Sequence, residues 1–258
     1  MNTSNISKAS GHWLLAKMGK RVLRPGGKKF TQALIEALHI TEGDHLAEFA
    51  PGLGQTALLA LKQHPASYTG IEADADAIEI LRQTIIAPNV CFIQTSAAQT
   101  GLPAGSKDKV FGEAMLTMQA DHRKSAIIKE AHRILKKGGS YTIHELALLP
   151  DMLAEPLKAA IQQDLAKAIK VNARPLTVPE WKMLLQQEGF TVKKVITRPM
   201  NLLTPARLIQ DEGFLRALKV GCNLLTHPRE RYRVMQMRAV FKKYKKHIGA
   251  ILLICEKQ

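Results

Sequence analysis

The chain has 258 residues, of which 46% are hydrophobic and 23% charged, and its formal net charge is +15. This length and apolar content allow a sizeable buried core, while no apolar run reaches the ~20 residues that a transmembrane helix needs. The first ten residues lack the apolar region of a secretory signal, and Cys91, Cys222 and Cys255 are widely spaced. Neither a disulfide framework nor a metal site is therefore expected, and the sequence predicts a cytoplasmic protein with reduced thiols.

The positive charge is concentrated in two segments. Residues 1–30 contain seven Lys or Arg and no acid, and residues 214–247 contain ten Lys or Arg and the single acid Glu230. The rest of the chain is close to neutral. Such segments predict an anionic partner, namely an acidic small molecule, RNA or an anionic membrane surface, or else are solvated helix faces.

Two helical pieces precede the first predicted strand. The piece "GHWLLAKMGKRVL" has apolar residues at near-helical spacing, and "KKFTQALIEALHI" follows it after the break "RPGG". The first piece is amphipathic and basic. It is expected to be a lid over a cleft, a membrane-surface helix or a helix packed on the body of the protein.

The middle of the chain alternates between strand and helix patterns. The predicted strands are "HLAEFA", "SYTGIEA", "NVCFIQT", "KVFGEAML" and "SYTIHELAL", and the helices between them include "QTALLALKQH", "DADAIEILRQTI" and "HRKSAIIKEAHRIL". This alternation predicts βαβ units and a mostly parallel sheet. Gly138 and Gly139 of "KKGG" are expected to end the last of these helices.

The last part of the chain adds helices and two more strands. Residues 151–170 and 177–188 read as helices, the second with Thr177 as its N-cap. "FTVKKVITRPM" and "HIGAILLICEKQ" read as the sixth and seventh strands. Residues 204–246 lie between these two strands and form an insertion long enough for about two helices.

The stretch "AEFAPGLGQT" raises the question of a ligand site. A strand, a glycine-rich turn and a helix suit a nucleotide-like ligand, because glycine lets the backbone approach it and the helix N-terminus offers free N–H groups. Glycine at such a turn is also common for geometry alone. "GLGQTA" fits the dinucleotide pattern G-x-G-x-x-G/A, but Glu48 and Glu72 end the first and second strands and favour a different ligand.

With these residues the sequence resembles the class I S-adenosylmethionine (SAM)-dependent methyltransferases. "AEFAPGLGQT" looks like their first motif and "GIEADADAI" like their acidic-loop motif. "QTSAAQTGLP", "DKVFGEAML" and "EAHRILKKGGSYTIHE" follow in the family's order, over residues 45–146. The turn "LKKGG" is similar to the L-K-P-G-G turn of the small-molecule, ubiquinone/menaquinone-methyltransferase-like enzymes.

The resemblance implies an α/β, Rossmann-like, seven-stranded and mostly parallel sheet in one domain that spans residues 1–258. Residues 1–40 would be a helical lid, 41–149 the cofactor-binding core, and 150–258 a C-terminal part that carries the helical insertion 204–246 before the last strand.

The resemblance also implies SAM as the cofactor and a set of binding residues. Glu72 would accept both ribose hydroxyls, and Glu48 would help to hold the loop and the cofactor's amino group. Ala50 stands where the family has its first glycine, which leaves a stiffer cradle. The implied set is Glu48, Ala50, Pro51, Gly52, Gly54, Glu72, Ala73, Ser96, Ala97 and Glu113, with Ser96 and backbone groups on the adenine side.

No catalytic residue is assigned from the sequence. Methyl transfer from a sulfonium needs mainly proximity and alignment, and a base is needed only if the nucleophile must lose a proton. Glu113, His122, His144 and Glu145 are candidates for that base. A histidine in such a strand is more often structural, so none of the four is given the role.

The acceptor is expected at the carboxyl ends of the strands, beside the cofactor. His12 and Trp13, Met118 and Gln119, and the inserted helices would form its walls. Because the flanking segments are basic, the predicted partner is a small anionic or amphiphilic molecule, with Arg231 and Arg233 as candidate contacts. Nucleic acid is possible but not favoured.

Three alternatives stay open at this point. "EFAPGLGQTALLAL" also resembles the rRNA adenine dimethyltransferases, but "GEAMLTMQA" lacks their Asn-Leu-Pro-Tyr-like motif. An NAD-dependent oxidoreductase would need a catalytic tyrosine–lysine pair, which is not found. A non-catalytic SAM-fold binding protein is the third alternative, because Ala50 departs from the motif.

Overall fold

The computed structural model describes residues 11–20, 24–200 and 204–258, with the side chains of His12 and Pro205 excepted. Several expectations lie outside the described residues. These are the character of the N-terminal ten residues, the charges of Lys8 and Arg21, the end of the first helical piece at Val22 and Leu23, and the contact predicted for the His12 side chain.

The seven predicted strands all form and join one sheet. The strands are β1 (His45–Phe49), β2 (Ser67–Glu72), β3 (Val90–Gln94), β4 (Lys107–Glu113), β5 (Leu135–Leu148), β6 (Leu176–Thr177), β7 (Phe190–Pro199) and β8 (Ile248–Lys257). The order in the sheet is β3-β2-β1-β4-β5-β8-β7, and the additional short strand β6 pairs with β5. The fold is thus a Rossmann-like α/β fold, as predicted.

The sheet is mostly parallel. β1 to β5 pair in parallel, as do β5 and β6, whereas β8 runs antiparallel to both of its neighbours, β5 and β7. The carboxyl ends of β1, β2, β3 and β4 therefore meet at one edge of the sheet, where ligands of open α/β sheets bind.

The described residues contain ten α-helices. They are α1 (Gly11–Lys17), α2 (Lys28–Leu38), α3 (Gln55–Leu61), α4 (Ala75–Thr84), α5 (Asp121–Ile134), α6 (Glu155–Ile169), α7 (Val178–Gln187), α8 (Pro205–Glu212), α9 (Phe214–Thr226) and α10 (Pro228–Lys243). Asp74 caps α4 by accepting from Ala77 N at 3.0 Å. Thr177 lies at the N-cap of α7, and its N–H donates to the Glu180 carboxylate at 2.8 Å.

Two local expectations were wrong. The insertion holds three helices, α8 to α10, rather than two. The glycines of "KKGG" do not cap α5, which ends at Ile134 with Leu135 already extended. Gly138 has φ +75° inside β5, where the pairing with β4 shifts register between Lys107 and Lys109. The glycines thus serve an irregularity in the strand rather than a helix end.

Alternation along the strands places the core on both faces of the sheet. In β1, Ala47 and Phe49 pack on the face covered by α5 and α7, whereas Leu46 packs on the face covered by α2, α3 and α4. This is the pattern of a sheet buried on both sides.

The N-terminal helices differ in what they cover. α2 packs with the core under β5 and β8. α1 packs its Leu14 and Leu15 against Val234 and Met237 of the inserted helix α10. α1 and α10 together close the space above the carboxyl edge of the sheet.

Candidate functional site

A cavity of about 560 Å³ lies at the carboxyl edge of the sheet. This volume is within the range of ligand sites. Part of its wall comes from the ends of β1, β2, β3 and β4 and the loops that follow them. Another part comes from α1, the end of α6, Met200 just after β7, and α10.

The cavity wall contains all but one of the residues predicted to bind the cofactor. Those in the wall are Glu48, Ala50, Pro51, Gly52, Glu72, Ala73, Ser96, Ala97 and Glu113. Gly54, the exception, has φ +76° at the N-cap of α3. A Cβ there would lie 2.9 Å from both Ile85 Cδ1 and Leu81 Cδ2, so Gly54 lets α3 pack closely against α4.

The loop after β1 adopts a left-handed conformation at Ala50 and Gly52, as it does at Gly54. Ala50 has φ +55° and Gly52 φ +56°, and the Ala50 N–H donates to Ile71 O at 2.8 Å. A Cβ on Gly52 would meet nothing within 4 Å. Gly52 thus leaves open space on the cavity side, while Ala50 carries backbone strain of the kind found at functional sites.

Glu72 joins two loops through its carboxylate. Oε2 accepts from Gly52 N at 3.1 Å, and Oε1 accepts from Ala73 N at 2.8 Å and Asp74 N at 3.0 Å. Because a carboxylate has about four acceptor positions, Oε2 can accept a further hydrogen bond from a ligand. Glu72 therefore positions the glycine loop and faces the cavity at the same time.

Glu48 is a buried carboxyl in the same wall. Its Oε2 accepts from Tyr68 OH at 2.5 Å. Among the described residues, no backbone N–H of the glycine loop donates to the Glu48 carboxylate. Burial raises the pKa of Glu48 to about 8. A cation that bound beside it would favour the ionised form and lower this pKa.

Glu113, at the end of β4, joins four other segments. Its Oε2 accepts from Arg24 Nη1 at 2.6 Å and from the Thr56 hydroxyl, and its Oε1 accepts from Thr31 Oγ1 at 2.9 Å and lies 2.6 Å from His144 Nδ1. Arg24 also donates to Thr56. We call these five residues the Glu113 clamp.

The clamp keeps Glu113 ionised although it is buried. Burial by itself would raise the pKa of Glu113, but the Arg24 guanidinium and the hydrogen bond from His144 lower it to about 2. Because the Glu113 carboxylate already accepts from four donors, its proton affinity is low and it is unsuited to be a general base. Arg24 and Thr31, which sequence reasoning missed, lie 89 and 82 residues away along the chain.

The other candidate bases are also engaged or remote. Glu145 is fully buried and accepts from the backbone N–H groups of Met115, Leu116 and Thr117 at 2.7–3.0 Å, so it holds the loop after β4. His144 is fully buried and absent from the cavity wall. His122 lies in the first turn of α5, outside the cavity wall.

The part of the cavity formed by helices is mainly apolar. Trp13, Met118 and Gln119 lie in its wall, as the sequence predicted. The expectation of a basic wall was wrong for Arg231 and Arg233, because neither lines the cavity. The remaining apolar side chains there are Leu15, Leu146, Ile169, Val171, Met200, Met237 and Phe241.

The described residues contain neither a cluster of metal-binding side chains nor a helix that could span a membrane. Within the described ranges there is no group of three or more His, Cys, Asp or Glu that could hold a metal ion. No helix among the described residues is long and apolar enough to cross a membrane.

The wall fits a nucleoside with a charged amino acid tail. The open space at Gly52 would admit a close approach of ligand to backbone, and Glu72 retains acceptor capacity. Arg24 lines the cavity, and its buried Nε has no hydrogen-bond partner in the part of the chain that the structure describes. The Arg24 guanidinium suits a ligand carboxylate, and Glu48 suits a ligand cation.

Comparison with known proteins identifies the family. A family model described as "Methyltransferase domain" matches residues 47–139. An uncharacterized protein of Haemophilus influenzae is 33% identical over 184 residues, which are 70% of this chain and 71% of that protein. The chain belongs to the class I SAM-dependent methyltransferases. An uncharacterized methyltransferase of Synechocystis is 29% identical over 182 residues, covering 70% of this chain and 83% of that protein.

A solved structure agrees with this membership. Phosphoethanolamine N-methyltransferase 2 of Haemonchus contortus, in complex with S-adenosyl-L-methionine, has a TM-score of 0.72 at 14% identity, over 96% of this chain and 56% of that chain. At this identity the likeness shows the fold alone. The cofactor of this methyltransferase is SAM, as its family implies, and the ubiquinone/menaquinone-like subgroup stays a prediction.

The Glu113 clamp should contribute strongly to the stability of the methyltransferase. Arg24→Met leaves a buried carboxylate without its cation, so we expect the free energy of unfolding to fall by about 3 kcal/mol in urea titrations at neutral pH. The matched control is Lys193→Met, because the Lys193–Glu256 pair is about half exposed and should contribute at most about 1 kcal/mol. Equal losses in the two variants would contradict this role.

Glu48 should make stability depend on pH. A pKa raised from 4.5 to about 8 means that its contribution is complete below pH 4.5 and is lost as pH rises toward 8. The slope for one proton is at most about 1.4 kcal/mol per pH unit. Glu48→Gln cannot ionise and should not show this loss. Its free energy of unfolding should therefore rise relative to that of the wild type as pH increases from 4.5 to about 8. The exposed Glu79→Gln serves as control, and parallel curves for wild type and Glu48→Gln would refute the assignment.

Proposed function

We propose that this methyltransferase transfers the methyl group of SAM to a small amphiphilic acceptor with an apolar body. The observation that carries the proposal is the apolar part of the cavity wall, which α1, α6, α10 and Met200 contribute beside the acidic strand ends. Burial of an apolar body there is favourable at roughly 25 cal/mol per Å². The anionic preference predicted from Arg231 and Arg233 is not part of this proposal.

We assign the strand ends to the cofactor. Glu72 would accept from the ribose hydroxyls through the free capacity of its carboxylate, and the Gly52 loop would lie along the amino acid tail. Glu48 would face the tail's ammonium group. The Arg24 guanidinium would lie near its carboxylate, which would make Arg24 both a structural and a binding residue.

Bound SAM would supply an electrophilic methyl group on a sulfonium. The chain's own residues would then bind, orient and exclude water, since effective alignment alone can lower a barrier by roughly 7–11 kcal/mol. Among the described lining residues, the acids are Glu48, Glu72, Glu113 and Asp74, and all four have structural partners. We therefore favour an acceptor whose nucleophilic atom has a free electron pair or ionises easily.

Cofactor binding tests the assignment of Glu72. Glu72→Gln removes the charge and half of the acceptor capacity, so we expect calorimetric titration to show at least a tenfold loss of affinity for SAM and S-adenosylhomocysteine. Glu79→Gln, exposed on α4, should bind both like the wild type. A thermal melt of each variant separates lost binding from lost folding. Undiminished affinity in a folded Glu72→Gln protein would refute the assignment.

Methyl transfer tests the acceptor class. With methyl-labelled SAM, amphiphilic small molecules should accept the label, whereas short RNA should not. Phe241→Glu places a carboxylate in the apolar wall and should raise the acceptor KM about tenfold or more while the Kd for SAM is unchanged. Met183→Glu, on the exposed face of α7, should change neither. Label transferred to RNA instead, with no effect of Phe241→Glu, would contradict the proposal.

A further inference from the structure

The inserted helix α9 exposes a stripe of large apolar side chains. Phe214 is 69% exposed, Leu215 82%, Leu218 57% and Leu225 70%. At 100° per residue these positions fall within about a third of the helix circumference. The opposite side of α9, with Ala217 and Val220, is buried. α9 is therefore apolar on the side that packs and also on the side that faces water.

The neighbouring helix α10 exposes a basic face. Arg231, Arg238 and Lys242 are exposed and fall within a narrow arc of the helix at 100° per residue, and Lys245 and Lys246 follow just after the helix. Tyr232 and Met235, which are 66% and 53% exposed, lie among these cations. α9 and α10 pack against each other, with Leu224 of α9 against the buried α1–α10 cluster that contains Val234. The apolar stripe and the basic face both lie on the exposed sides turned away from that cluster, so they belong to one surface. We call it the α9–α10 surface.

The two basic segments of the chain use their charge differently. In the N-terminal segment, Lys17 pairs with Glu230 at 3.5 Å, Lys20 lies 3.7 Å from Glu212, and Arg24 pairs with Glu113. These cations join the segment to the insertion and the sheet. In α10, Lys243 pairs with Asp164 at 2.8 Å, whereas the basic face itself points outward.

We propose that the α9–α10 surface docks the methyltransferase on an anionic lipid bilayer. The apolar stripe would enter the boundary between head groups and acyl chains, and the basic face would lie against the anionic head groups. Exposed Phe and Leu beside clustered Lys and Arg are the features of helices that lie in a membrane interface, and each cation near such a surface adds to the attraction.

Charge and polarity favour a bilayer over two other occupants. RNA would neutralise the basic face but would leave the apolar stripe in water. A second copy of the chain could cover the stripe, but it would bring two strongly basic faces close together. A bilayer with anionic lipids satisfies both the apolar stripe and the charge.

The surface is built on the helix that also walls the cavity. Met237 and Phe241 of α10 line the cavity, while Arg231, Arg238 and Lys242 lie on its exposed face. Docking would therefore hold the cavity close to the membrane. The inference does not depend on the acceptor, because vesicle binding is measured without one.

Vesicle flotation of the full chain tests the proposal. The protein should float with vesicles of phosphatidylglycerol and phosphatidylcholine, remain unbound with vesicles of phosphatidylcholine alone, and bind less as salt is raised. No flotation with the anionic vesicles at low salt would overturn the proposal. Its failure would leave SAM binding and methyl transfer unaffected, which separates it from the proposed function.

Two sets of variants separate the contributions of the surface. Phe214→Ser, Leu218→Ser and Leu225→Ser together should weaken vesicle binding about tenfold or more. Arg231→Gln, Arg238→Gln and Lys242→Gln together should weaken it about a hundredfold and reduce its salt dependence. SAM titration of each variant should match the wild type, which shows that the fold is intact.

Matched controls remove similar groups from other surfaces. Ile86→Ser with Met152→Ser removes exposed apolar side chains, and Lys62→Gln, Lys137→Gln and Lys182→Gln remove three exposed charges. Both controls should bind vesicles like the wild type. Controls that weaken binding as much as the test variants would overturn the proposal, because the attraction would then follow net charge alone.

Two further outcomes would also overturn it. One is that short duplex RNA binds and displaces the protein from vesicles while the apolar variant has no effect, which assigns the surface to RNA. The other is that the wild type is a dimer by sedimentation and the apolar variant a monomer, which assigns the stripe to a second copy of the chain.

Discussion

A single buried carboxylate, that of Glu113, connects the parts of this methyltransferase that form its site. Taking a carboxylate out of water is unfavourable unless cations and hydrogen-bond donors replace the water. Arg24, Thr31, Thr56 and His144 supply them from four separate segments. The N-terminal segment, the helix after the glycine loop and the centre of the sheet are therefore fixed relative to one another, and the cavity wall that they share is fixed with them.

The cavity combines two chemistries because two kinds of element build it. The strand ends contribute the acids Glu48 and Glu72, which suit a ligand with a ribose and a cationic tail. The helices contribute apolar side chains such as Met237 and Phe241. Strand ends are similar throughout an α/β family, whereas inserted helices vary, so the fold accounts for the methyl donor better than for the acceptor.

Much of the fold follows from local patterns. All seven predicted strands form, because runs of β-branched and apolar residues between polar turns specify buried strands without help from distant residues. β6 was missed because two residues carry no periodicity. The third inserted helix was missed because α10 has a basic, weakly apolar sequence whose burial depends on α1 and α6. The prediction that "KKGG" ends α5 was wrong because helix ends and strand irregularities both use glycine with positive φ.

The sequence by itself determined where the main strands lie along the chain, the glycine loop and the acids Glu48 and Glu72 at the strand ends, since each is set by residues within one βα unit. Only the tertiary structure decided the rest. Arg24 and Thr31 reach Glu113 across more than 80 residues, and the direction in which each face of α10 points follows from its packing partners. Those features depend on which distant segments pack together in the core, and local sequence spacing does not specify this.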